Sequence, residues 1–316
     1  MMKRNRSRSF VTKAATLVSG SLLLTMMSPT LSSGASNSGA TVDGVHVSYN
    51  AAAGKLLPAS IKTNGLRIVT SAPYPPFEIF NSKNQLTGLD IFTGQAIAAA
   101  LGVKASFTSI DFNGVIPALQ AGKFDMLLAD TGDNTARAKV LNFVEYDLQG
   151  QVLVVAKGNP AKISSLKSMC GKTLAVEAGD APAGLFNPVQ AYCKAKGQSP
   201  MAVKTLPTTA DALLAIKSGS AQAQFVGVAT APSLAQATNE QVVTIPGQVG
   251  GYTALYVGAG ILHSQTQLTK AVQTAMVGLL KSGVLKSLFA KYGLQSTLIP
   301  KILVNAISAG GQGLKL

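Results

Sequence analysis

Apolar positions from residue 66 onward follow two alternating rhythms. Leu66–Thr70 (LRIVT) is a compact run rich in β-branched residues, which predicts a strand. Pro73, Pro75 and Pro76 exclude a helix immediately after it, so a loop leaves the strand end. Asp90–Leu101 carries apolar side chains at helical spacing and stops at Gly102. Val103–Phe107 predicts a strand, Val115–Leu119 a short helix stopped by Gly122, and Asp125–Ala129 (DMLLA) another strand. The rhythm then repeats: a helical Ser165–Ser168, a strand over Thr173–Glu177, a helix over Ala183–Lys196, a strand over Ala202–Leu206, a helix over Ala210–Ser218 and a strand over Ala223–Val226. Strands alternating with helices predict an α/β protein with mostly parallel sheet and helices on both faces.

The two units match one another. ALQAGKFDMLLAD ends at Asp130 and AIKSGSAQAQFVG ends at Gly227, an offset of 97 residues; each reads helix, glycine turn, strand. Residues 130 and 227 are therefore expected at comparable strand ends. Open α/β sheets bind ligands beyond the carboxyl ends of their strands, so two such lobes face to face enclose a cleft. The β-rich segments Gln149–Val155 and Gly251–Val257 are the expected crossovers and form a hinge. The helices after Gln265 return to the first lobe. Lobe 1 is expected over 64–150 and 256–308, and lobe 2 with its hinge strands over 151–255. A Ser/Gly/Ala/Asn-rich segment over 36–63 is expected to be loosely ordered, and 309–316 to be a disordered tail.

The amino terminus changes the count. Residues 1–13 hold Lys3, Arg4, Arg6, Arg8 and Lys13 without an acid, a short apolar run follows to Met27, and small residues cluster around Ala35 and Ala40. That order predicts a signal peptide over 1–35, cleaved after Ala35 or Ala40, and a periplasmic protein. The alternative, an uncleaved anchor, would need about 20 apolar residues. Losing the leader reduces the formal charge of +14 to about +9. The remaining lysines are scattered with no aromatic–basic stripe, which argues against a nucleic-acid partner. Cys170 and Cys193 are the only cysteines, and in an oxidising compartment they are expected to form a disulfide. The two histidines, His46 and His263, have no partner at metal spacing, and no metal or cofactor is expected.

Several segments now add up. LRIVTSAPYPPFEIFNSKNQLTGLDIFTGQAIAAALG, DFNGVIPALQAGKFD, TGDNTAR followed by VLNFVEYDLQGQVLVVAKG, and SLKSMCGKTLAVEAGDAPAG resemble, in that order and spacing, the solute-binding family 3 proteins. These are periplasmic receptors of polar amino-acid ABC transporters, and the resemblance covers residues 64–295. It implies the two-lobed, type II periplasmic-binding-protein-like fold, which closes like a Venus flytrap. It further implies a monomeric receptor that captures a small carboxylate, expected to be an amino acid, and delivers it to an ABC permease.

Residue by residue, Tyr74 matches the aromatic that lies against the ligand and Phe112 the second wall, whereas Phe77 fits a core role. Arg137 matches the arginine that takes the ligand α-carboxylate; its planar fork offers two parallel donors. Gly132 matches a position offering a backbone amide, and Ala181 another amide near the start of the expected helix, where free N–H groups favour an anion. Gly227 stands where the family usually has an Asp for the ligand ammonium. Either Asp130 or Asp180 supplies that charge instead, or the ligand has no α-amino group. Glu177 matches a position lining the side-chain pocket. Ser71 stands where receptors for basic amino acids often carry an acid, which argues against lysine or arginine.

Other classes fare worse. Ser164–Lys167 fits S-x-x-K, but the partner signatures are missing. A cyclohexadienyl-dehydratase-like enzyme on the same scaffold would need a cleft acid, for which Glu177 and Asp130 are the candidates. A stand-alone sensory binding module is the third reading, without a signalling domain in the chain to support it.

Overall fold

The computed structural model describes residues 39–181, 183–238, 241–243 and 254–306. The expected leader and tail, and residues 251–253 of the second crossover, lie outside the described residues. The chain enters through a hairpin, β1 (Ala40–Val42) and β2 (Val45–Val47), and two short helices, α1 (Ala51–Leu56) and α2 (Ala59–Asn64). This corrects the expectation that 36–63 is loose. Val42, Val47, Ala53, Leu57 and Ile61 are buried in the main core. Ala53, Leu57 and Ile61 recur every four residues, and Asn50 caps α1 by accepting from the Ala53 amide. The surrounding small residues hid that face.

The first half continues with β3 (Leu66–Thr70), a small hairpin of β4 (Ile79–Phe80) and β5 (Leu86–Thr87), α3 (Leu89–Leu101), β6 (Ala105–Ser109), α4 (Val115–Gln120) and β7 (Met126–Leu127). Then β8 (Leu141–Val155) runs for 15 residues. The second half holds β9 (Thr173–Glu177), α5 (Asn187–Ala195), β10 (Ala202–Leu206), α6 (Thr209–Lys217), β11 (Ala223–Gly227), α7 (Ala231–Thr238) and β12 (Gln241–Val243). Strand β13 (Ala254–Leu262) leads back to α8 (Thr266–Lys281), α9 (Val284–Lys291) and β14 (Leu298–Val304). Helices α8 and α9 pack on the first half, against α1 and α3.

The sheet order is β10-β9-β11-β8-β13-β7-β3-β6, with β12 and β14 also paired to β8. Parallel pairs lie within each half, β3 with β6 and β7 and β9 with β10 and β11, while β13 runs antiparallel to β7. Every pairing of β8 is antiparallel. The sheet is therefore mixed rather than mostly parallel, because the strand that joins the halves runs against both. Residues 141–150 of β8 pair with β13, and residues 151–154 pair with β11. One continuous strand thus belongs to both halves, and at about 3.3 Å per residue it is long enough to cross the molecule.

Separate cores flank this strand. Ile68, Ile97, Met126, Tyr146, Leu285 and Phe289 are buried in the first half; Leu153, Leu174, Phe186, Val189 and Phe225 are buried in the second. Strand β14 was not foreseen. It straps β8 near the joint: the Leu148 amide donates to Thr297, Phe143 and Asn305 exchange two bonds, and the Ala306 amide donates to the Glu145 carboxylate. No helix among the described residues is long and apolar enough to cross a membrane.

Cys170 and Cys193 form the expected disulfide, with Cα atoms 5.5 Å apart. It ties the turn after a 3-10 segment, Leu166–Met169, to the last turn of α5, where Cys193 is fully buried. Closing a loop of 23 residues stabilises by roughly 3 kcal/mol. Reduction is expected to lower Tm by roughly 6–12 °C in differential scanning calorimetry; an unchanged Tm after complete reduction and alkylation would contradict this.

Candidate functional site

The strand ends of the two halves converge at the joint. Tyr74 comes from the loop after β3, Phe112 from a 3-10 turn after β6, and Asp130 from the turn after β7. Glu177 ends β9 and Gly227 ends β11, so the second half presents its strand termini to the same space. Two connected sets of these residues line small cavities of about 20 Å³ each. One is bounded by Ser71, Tyr74, Phe112, Asp130, Glu177 and Asp180. The other is bounded by Asp130, Gly132, Arg137, Gln149, Gln151 and Gly227, among others. The cleft is closed: the Gly227 amide donates to the Tyr74 hydroxyl at 3.2 Å, joining the halves.

Arg137 makes the second such link. Its Nη1 donates to the Gly132 carbonyl at 2.8 Å and its Nη2 to the Gly179 carbonyl of the second half at 2.9 Å. The guanidinium lies 5.1 Å from the Phe112 ring centroid and is buried. It is not a surface arginine. Gly132 contributes its carbonyl to this link, where the sequence suggested its amide.

Acids outnumber this cation. Asp130, Glu177 and Asp180 all border the cleft. Burial pushes the Asp130 carboxyl well above its ordinary range, and Asp90, Asp147 and Asp180 push further, with Arg137 pulling back. Burial also raises Asp180, again opposed by Arg137. Glu177 is pushed up to about 7 by burial, although the Thr209 hydroxyl donates to it. Tyr74 is raised first by burial and then by Asp180 and Asp130. Amides partly answer these carboxylates: Gln149 donates to Asp130 and Asp147, and Gln151 donates to Asp180.

The structure brings together Tyr74, Phe112, Asp130, Gly132, Arg137, Glu177, Asp180 and Gly227. Phe77 is buried in the core, as read from the sequence. Ala181 departs. Helix α5 starts at Asn187 rather than at 183, because residues 183–186 form a turn ahead of Pro188. Ala181 is thus not at a helix start, and the dipole argument for its amide fails. Gln149, Gln151 and Thr209 were missed, although the i, i+2 spacing of the two glutamines on a crossover strand already put them on one face. A larger open groove of about 560 Å³ lies beside α6 around Leu214 and is lined by none of these groups.

Gly227 and Asp130 explain one another. A Cβ built at Gly227 would lie 3.0 Å from the Tyr74 hydroxyl and 3.6 Å from Asp130 Oδ2. The Asp130 carboxylate therefore occupies the neighbourhood where a side chain at 227 would begin, and the bare glycine lets Tyr74 approach.

Two α/β halves sharing crossing strands and closing on a charged cleft define a hinged solute receptor. The chain belongs to the bacterial extracellular solute-binding proteins, family 3, whose model matches residues 66–295. It is 26% identical over 252 residues to the arginine-binding protein ArgT of Corynebacterium glutamicum, covering 79% of this chain and 81% of that one. It is 25% identical over 234 residues to the L-cystine-binding protein TcyJ of Escherichia coli, covering 73% and 84%. A solved ancestral amino acid-binding protein, AncCDT-1, described as a precursor of cyclohexadienyl dehydratase, superposes with a TM-score of 0.65 at 28% identity, covering 74% of this chain and 97% of that one.

The buried acids predict a pH dependence. Glu177 and Glu145 are raised to about 7 and Asp147 to about 6, in each case chiefly by burial. The folded chain thus keeps protons that the unfolded chain has already released between about pH 4 and pH 7, so its stability falls as pH rises through that window. Tm without added ligand is expected to be higher at pH 5 than at pH 7.5, and Glu177→Gln to flatten part of the slope. A Tm that climbs with pH across this range would refute it.

Proposed function

We propose that this chain is an exported receptor for a cationic α-amino acid, which it presents in the closed form to an ABC permease. The observation that carries this reading is the charge count of the cleft: Asp130, Glu177 and Asp180 against the single guanidinium of Arg137. A zwitterion leaves the remaining acids without a counter-charge, so burial keeps them protonated, whereas a ligand with a second cationic group stabilises one more of them as a carboxylate in a medium of low dielectric. The arginine specificity named for ArgT supports the same class. It runs against the inference drawn from Ser71; Glu177 supplies an acid at the far wall instead.

In this mechanism the ligand carboxylate takes donors of Arg137, and the ammonium meets Asp130 with Asp180 opposite. The side-chain cation reaches Glu177 between Tyr74 and Phe112. Entry requires opening, which breaks the Arg137–Gly179 and Tyr74–Gly227 bonds. A ligand that touches both halves restores the closed state through its differential affinity. The leader over 1–35, periplasmic delivery and a monomeric state remain part of this proposal.

A panel of amino acids in thermal-shift measurements tests it. Arginine, lysine or ornithine at a hundred-fold excess over Kd is expected to stabilise by about 2.7 kcal/mol, and glutamine or citrulline by less. Affinity for the cationic ligand is expected to rise as Glu177 ionises above about pH 7. Arg137→Ala is expected to abolish the shift. Equal shifts from neutral and cationic side chains would discard the charge reading.

An elimination enzyme is the second reading, favoured by a buried acid whose pKa is raised to about 7 and by the AncCDT-1 likeness. Prephenate and arogenate are expected to survive incubation with the protein. Product formation that is lost in Glu177→Gln would reverse the assignment.

A further inference from the structure

Behind the cleft lies a second pair of acids that the binding scheme does not use. Glu78 and Asp90 are both essentially inaccessible to solvent. They come from different elements, Glu78 from the loop after β3 and Asp90 from the first turn of α3. Their backbones are laced together. The Tyr74 amide donates to the Glu78 carbonyl at 2.7 Å and the Glu78 amide to the Tyr74 carbonyl at 3.0 Å, closing the proline-rich loop on itself. The Leu89 and Asp90 amides then donate to Pro76 and Phe77 carbonyls, both at 3.1 Å, so the loop is mounted on the start of α3. Gly88 permits this approach: at φ +118° its added Cβ would lie 2.3 Å from the Phe77 carbonyl oxygen.

The Asp90 carboxylate reaches the binding acid itself. Its Oδ2 accepts the Asp130 amide at 2.7 Å, and its Oδ1 accepts the Tyr146 hydroxyl at 3.0 Å. Asp130 is held at φ +42°, a left-handed conformation that a non-glycine residue keeps only when its surroundings impose it. A charge-assisted bond to its own amide is such an imposition. It fixes the turn from which the Asp130 side chain projects toward Gly227.

We propose that Asp90, backed by Glu78, is a positioning residue for ligand binding: it holds Asp130 and the Tyr74 loop in register with one another. The inference rests on the assignment of Asp130 to the ligand ammonium. Glu78 has the companion role. Among the described residues no N–H or hydroxyl donor reaches either of its carboxyl oxygens, and the charge that acts on it most is Asp90. A neutral Glu78 spares this apolar interior the repulsion of a second ionised carboxylate beside Asp90. Burial first, then Asp90, Asp130 and Glu177, push Glu78 well above its ordinary range, in agreement with a neutral acid. Tyr146 from β8 completes the donor set of Asp90, and Asp147 on the same strand faces Asp130 and is held by Gln149.

A double-mutant cycle read by calorimetric titration with L-arginine tests this. Asp90→Asn is expected to weaken binding about ten-fold, the scale of a lost charge-assisted hydrogen bond. In an Asp130→Asn background the same change is expected to cost less than about two-fold, because the residue it positions has lost its charge. Glu78→Gln, which keeps a neutral donor, is expected to recover most of the affinity that Glu78→Ala loses. Additive effects in the cycle, alongside a clear loss in Asp130→Asn, would overturn this inference alone. Full affinity in Asp130→Asn would remove the ammonium assignment and this inference with it. Two further measurements hold if Asp90→Asn folds poorly or arginine does not bind. Tyr146→Phe removes one donor to Asp90 and should show the same coupling to Asp130. In amide spectra of the protein without added ligand, it should move the Asp130 and Gly227 signals; unmoved signals would refute the linkage.

Discussion

One guanidinium faces Asp130 and Asp180 in the closed cleft, and much of the surrounding structure serves that imbalance. Arg137 is buried, stacked on Phe112, and bonded to a carbonyl from each half. Desolvation lowers its own pKa while Asp180, Asp130 and Asp133 hold it charged. A lysine at 137 would give a point charge without the planar fork that spans Gly132 and Gly179. The same group therefore closes the halves mechanically and keeps the acids tolerable electrostatically. Any rearrangement that withdraws it leaves Asp130 and Asp180 facing each other without relief.

The crossing strand divides this load. Gln149 and Gln151 lie two residues apart on β8, where the strand passes from its pairing with β13 to its pairing with β11. Gln149 donates to Asp130 and Asp147 of the first half; Gln151 donates to Asp180 of the second. Each half thus carries its own amide–acid partnership to the joint. On the proposed reading, opening near Gly150 separates the two partnerships without breaking either, and the bonds it breaks are those of Tyr74 and Arg137 across the cleft. Strand β14 stiffens the first-half side of that joint through Leu148, Phe143 and Glu145.

Much of this was legible in the sequence. Strands β3, β9 and β10 have the boundaries that the sequence predicts; β3 and β9 are short buried runs, and β10, although mostly exposed, pairs along β9. The internal repeat put residues 130 and 227 at comparable strand ends, and a Cβ at Gly227 would lie 3.6 Å from Asp130 Oδ2. What escaped was of two kinds. Residues 40–64 looked loose because their apolar face is five isolated residues, Val42, Val47, Ala53, Leu57 and Ile61, scattered among small and polar ones. The Glu78–Asp90 pair escaped because two acids twelve positions apart read as surface residues; only the fold of the proline loop onto α3 buries them together.

On the proposed reading, an ammonium acid at position 130 rather than 227 changes the order in which a ligand can be held. An acid at the end of β11 belongs to the second half, so an ammonium would be caught only on closure. Asp130 belongs to the first half, as do Arg137, Tyr74 and Phe112. On the proposed reading, carboxylate and ammonium are both engaged by the open first half, and closure adds Asp180 and Glu177 around the rest of the ligand. The first half then recognises the amino-acid head group that all such ligands share. The second half contributes the charges that distinguish one side chain from another, and Glu177, whose pKa is raised to about 7, is the member of that set whose charge changes with physiological pH.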